Sequence, residues 1–99
     1  MKNNYETTSE VILWSGDKAA WHFAVIDEKI SAEIKEKHAP KTRGFGSIKV
    51  RATVGDTVWQ TSIFPDKKSE TYMLPIKAKV RDAEGIRAGD SIKLGLEIM

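Results

Sequence analysis

Apolar and polar residues alternate along most of this chain with a period of two, the mark of strands buried on one face. Two segments show it most cleanly. In 45–54, Ile48, Val50, Ala52 and Val54 face one way and Ser47, Lys49, Arg51 and Thr53 the other. In 91–98, Ile92, Leu94, Leu96 and Ile98 point inward against Ser91, Lys93 and Glu97. The run Val11-Ile12-Leu13-Trp14 predicts a strand over 7–15 that ends in a tight turn at Gly16-Asp17. Residues 18–26 return as its hairpin partner, with Trp21, Phe23 and Val25 on one face and His22 and Ala24 on the other. After the Gly55-Asp56 turn, 57–64 read as a strand stopped by Pro65. A polar loop, Asp66-Lys67-Lys68-Ser69, leads to a strand over 71–76 with Tyr72, Leu74 and Ile76 in phase.

Two segments break the alternation. Residues 27–37 predict a short amphipathic helix, with Asp27 as cap and Ile30 and Ile34 as its buried stripe. Residues 77–84 predict one or two helical turns closed by Gly85. Ser47-Ile48-Lys49-Val50 and Ser91-Ile92-Lys93-Leu94 match 44 residues apart, each after an aromatic-rich strand, a short helix and a glycine turn. The pattern predicts a mainly β fold: a small closed β-barrel of double-split type, with two short helices and two pseudo-symmetric halves. Residues 1–6 read as a flexible N-terminus and 7–99 as the single barrel domain.

Composition narrows the functions. The chain has 99 residues, 40% of them hydrophobic and 30% charged, as in ordinary globular domains. It has no cysteine, which removes disulfides, thiolate nucleophiles and cysteine-held zinc. No run of about 18 apolar residues exists, so no membrane-spanning helix is expected, and MKNNYETTSE does not read as a secretory signal. The reading is a cytoplasmic monomer. A net charge of +2 is too mild to argue for nucleic acid by itself. The cluster Lys35, Lys37, His38, Lys41 and Arg43 reads as a solvated loop with an exposed His38.

Lys77 and Arg81 lie four apart and share one helix face. They predict either a solvated face paired with Asp82 or Glu84, or an anion pocket completed by Arg43 and the hydroxyls of Thr61 and Ser62. Thr61 and Ser62 point to opposite faces of one strand, so only one faces a given pocket. Either would need a base to act as nucleophile, and the imidazoles available are His22 and His38. Gly44-Phe45-Gly46-Ser47 lacks the spacing of a phosphate loop and reads as a barrel bend, placing Ser47 beside the same candidate site. Trp14, Trp21, Trp59 and Tyr72 read as core aromatics. No cofactor and no metal site is expected.

Six ordered motifs carry a family resemblance: Trp21-His22-Phe23, Arg43-Gly44-Phe45-Gly46-Ser47, 59–65 (WQTSIFP), 72–77 (YMLPIK), Val80-Arg81 and Gly89-Asp90. Together they resemble a bacterial and archaeal family of small domains, the domain of unknown function family nineteen-oh-five. The resemblance implies a split, closed β-barrel and no particular activity. More loosely, Leu74-Pro75, Val80-Arg81, 83–86 and 88–92 are similar to the swapped-hairpin domain of AbrB-type regulators, which implies a double-split barrel and DNA binding. The reading is thus a non-catalytic binding module whose polar, cationic pocket takes a small anionic or polar ligand at Arg43, Ser47, Thr61, Ser62, Lys77 and Arg81. The alternatives are a nucleic-acid-binding regulator and a small hydrolase or transferase using Ser62 or Thr61.

Overall fold

A computed structural model describes residues 3–15, 20–38 and 46–99. Its elements run β1 (Asn4–Ser15), β2 (Ala20–Val25), α1 (Glu28–His38), β3 (Ile48–Val54), β4 (Thr57–Asp66), β5 (Thr71–Pro75), α2 (Ala78–Glu84) and β6 (Ser91–Ile98). The six strands close an antiparallel barrel in the order β1-β2-β5-β4-β3-β6.

That ring order is unchanged when β1 is exchanged with β4, β2 with β5 and β3 with β6. The β3–β6 register agrees with the exchange: Ala52 pairs with Leu96, its own counterpart 44 residues on. Tyr5 beside Leu96 and Trp59 beside Ala52 are then counterparts, and both rings are buried. On the opposite wall Ala24 pairs with Leu74. Ile26 N–H donates to the Tyr72 carbonyl and Ile76 N–H to the His22 carbonyl, each at 2.9 Å, the same bond made once by each half.

The barrel interior is filled by the inward positions that the alternation marks. Val50, Ala52, Ile63, Leu74, Leu94 and Leu96 are essentially inaccessible. Each fully buried valine, leucine or isoleucine among them contributes about 1.5–3 kcal/mol. Asp27 caps α1 by accepting the backbone N–H groups of Lys29 (2.9 Å) and Ile30 (3.2 Å). Ile34 and His38 continue the Ile30 stripe at four-residue spacing, which turns His38 inward. His38 is therefore buried, not exposed, and meets the Tyr5 ring edge-on at 6.4 Å. Gly85 ends α2 in the left-handed conformation, with φ of 64°.

Three further expectations are corrected. β1 begins at Asn4, and Asn4–Glu6 pair with Glu97–Gly95. Pro65 does not stop β4, which runs on to Asp66 and pairs with β5. The β3 ladder has ended at Ile63, so the missing N–H of Pro65 faces an unladdered edge. Trp14 and Trp21 are cross-strand partners on the outside of the hairpin and more than half exposed, whereas Trp59 and Tyr72 are buried as expected. The Gly16-Asp17 turn and residues 39–45, with Pro40, Lys41, Arg43 and Gly44, lie outside the described residues.

Candidate functional site

The β4–β5 ladder joins Phe64, Pro65 and Asp66 to Met73, Tyr72 and Thr71, and goes no further. Beyond it β4 stays with β3, while β5 follows β2 toward α2. The divergence leaves a split in the barrel wall at Pro75-Ile76-Lys77. A pocket of about 420 Å³ occupies it. Its volume is within the range of sites that hold one small organic molecule.

Three walls line this pocket. The start of α2 contributes Lys77 and Arg81. The exposed end of β2 contributes Trp21 and His22, and β4 contributes Trp59, Gln60 and Thr61. Pro75 and Ile76 close the apolar side. Arg81 Nη1 donates to the Ile76 carbonyl at 2.7 Å, which fixes the guanidinium at the pocket. No carboxylate lies in the lining, and none pairs with Lys77 or Arg81 among the described residues. Glu84, a candidate partner for them, accepts the Thr57 hydroxyl at 2.6 Å instead. The Nδ1 atom of His22 is buried without a hydrogen-bond partner among the described residues. Trp21 stacks on Phe23, with centroids 6.3 Å apart and planes 15° from parallel.

Of the residues singled out in the sequence, Thr61, Lys77 and Arg81 come together here. Ser62 is on the other face of β4, paired with Lys49, and Ser47 precedes β3; neither lines the pocket. Arg43 falls outside the described residues. Sequence reasoning missed Trp21, His22 and Gln60 as pocket residues. The β2 alternation does separate His22 from Trp21, but only the tertiary placement of the β2 end beside β4 makes them neighbours of Thr61.

The counterpart split, beneath α1, is closed. Tyr72 stands where His22 stands in the open one, Tyr5 where Trp59 stands, and Ser31 where Arg81 stands. Ser31 Oγ donates to the Ile26 carbonyl (3.1 Å) and accepts from Tyr72 N–H (2.9 Å). Burial, with a hydrogen bond to the adjacent Glu33 carboxylate, pushes the Tyr5 phenol up to about 12. Burial also raises Tyr72.

A second depression of about 800 Å³ runs along the outside of β1, β6 and β3. It is lined by Glu6, Thr8, Arg51, Lys93 and Glu97 over Gly95. Arg51 and Glu97 pair there at 2.6 Å, so its charges largely answer one another. On α2 and the turn after it, Lys77, Lys79, Arg81 and Arg87 stand with Asp82, Glu84 and Asp90, giving no single-sign surface. Among the described residues no group of three or more His, Asp or Glu is placed to hold a metal. No helix there is long and apolar enough to cross a membrane.

Residues 8–96 match the family described as a domain of unknown function, DUF1905. The chain belongs to the DUF1905 family. The match spans nearly the whole barrel, from β1 into β6, and takes in both splits. Among curated proteins nothing matches the chain. In this DUF1905 domain the six motifs distribute over both halves, and those at 21–23, 59–65, 72–77 and 80–81 border the open split.

Proposed function

We propose that this DUF1905 domain is a non-catalytic, monomeric, cytoplasmic binding module that holds a small anion in the β4–β5 split. One observation carries the reading: Lys77, Arg81 and Thr61 line a single pocket that contains no carboxylate. Two cations placed together favour an anion that offsets their repulsion. A fixed guanidinium presents paired N–H donors to a carboxylate or oxyanion. Thr61 adds a hydroxyl that donates or accepts. Its role is binding, because no base is hydrogen-bonded to it among the described residues.

Thermal melts across sulfate and chloride series test this. Sulfate should stabilise the wild type saturably, by ~2.7 kcal/mol at a hundredfold excess over Kd. Arg81→Ala should lose that response while keeping the non-saturating effect of salt. Identical curves for the two proteins would return Arg81 to a solvated helix face.

A further inference from the structure

The anion pocket is also aromatic, and that combination specifies its ligand further. Resting on the pocket reading above, we infer that the split takes a planar aromatic carboxylate.

Two observations converge. The first is the ring platform. Trp21 is half exposed, and its plane is set by the stack on Phe23, which covers one indole face. A flat ring extends such a stack at little entropic cost, and Trp59 and Pro75 supply apolar walls. The second is the anion clamp. Arg81 spends Nη1 on the Ile76 carbonyl and has no other acceptor among the described residues. What remains is four guanidinium N–H groups plus the Lys77 ammonium, enough to hold the two oxygens of a carboxylate.

The closed split is the built-in control. Asp27 and Ser31 replace the two cations there, and Tyr72 fills the place of His22. Tyr5, Tyr72 and His38 are buried there, and no lysine or arginine among the described residues stands at the positions of Lys77 and Arg81.

The test titrates the full chain with benzoate, cyclohexanecarboxylate, acetate and sulfate, read by tryptophan fluorescence and by NMR of the Arg81 side chain. Benzoate should exceed cyclohexanecarboxylate by about tenfold, or ~1.4 kcal/mol. Arg81→Met should weaken every acid. Trp21→Leu, at an exposed position, should weaken the aromatic acids far more than it weakens sulfate. Should Arg81→Met fail to fold, exposed Lys77→Gln carries the same comparison. Aromatic acids binding no tighter than acetate, while sulfate still depends on Arg81, would overturn the inference and leave the anion pocket standing. Aromatic acids binding equally to Arg81→Met would place them elsewhere and also overturn it. No Arg81-dependent binding of any anion would overturn both.

Discussion

Beneath α1 the gap between β1 and β2 is packed with Tyr5, Tyr72 and His38; beneath α2 the corresponding gap between β4 and β5 stays open. The backbones agree, down to the matched bonds from Ile26 to Tyr72 and from Ile76 to His22. Even the side-chain bonds correspond, since Ser31 and Arg81 each cover the carbonyl five residues back. What differs is chemistry and length. Serine donates and accepts with one short hydroxyl, so it completes a closed network. Arginine only donates and carries a charge, so it leaves capacity for something outside. α1 has 11 residues and brings His38 down onto Tyr5, whereas α2 has 7 and stops short of any such cover. The barrel thus fixes where a split lies, and a few side chains decide whether it becomes core or pocket.

The largest test of that contrast concerns the paired aromatics. Trp59→Ala and Tyr5→Ala should each cost about 3–5 kcal/mol in chemical denaturation, because both rings belong to the core row through Ala52 and Leu96. A loss under ~1 kcal/mol at Trp59 would make that ring pocket wall alone.

The closed split should also show itself in alkali. The fold favours the neutral Tyr5 phenol, so the unfolded chain ionises first. This stabilisation is complete below pH ~10 and is lost as pH rises toward 12, by up to about 3 kcal/mol. Urea melts from pH 9 to 12 should therefore fall more steeply for wild type than for Tyr5→Phe. Parallel curves would mean the Tyr5 site is wetter than its burial implies.

The smallest effect sharpens the comparison most. Ser31→Ala strips a buried N–H and a buried carbonyl of their partner and should cost about 1–3 kcal/mol. Arg81→Ala should cost less, since water reaches the Ile76 carbonyl through the open pocket. Equal losses would erase the distinction between the two ends.

Much of the fold was legible because alternation over 48–54 and 91–98 leaves one choice of inward face, and because the repeat offset equals the β3–β6 register. β2 was harder to read. Both its faces are apolar, and the bulkier one, Trp21 and Phe23, turned out to be outside. Small Ala24 takes the inner position opposite Leu74. At the candidate site, Lys77, Arg81 and Thr61 were legible because helical spacing and strand phase are local properties. His22 and Gln60 were not, because their nearness to α2 arises only where β4 and β5 part. Ser62 was drawn in by its chemistry and set aside by the phase of β4.

Helix α2 is a short strut pinned at both ends. Arg81 is tied to the Ile76 carbonyl, and Glu84 to the Thr57 hydroxyl in the turn that also contains Gly55. A Cβ on Gly55 would collide with the Glu84 carboxylate, so any side chain there would push that carboxylate off the Thr57 hydroxyl. The Arg81 guanidinium therefore has little freedom left to lose when a ligand arrives, and little binding energy is consumed in ordering it. A loosened Gly55 turn, far from Lys77 along the helix, would then weaken binding through entropy while every contact in the pocket stayed in place.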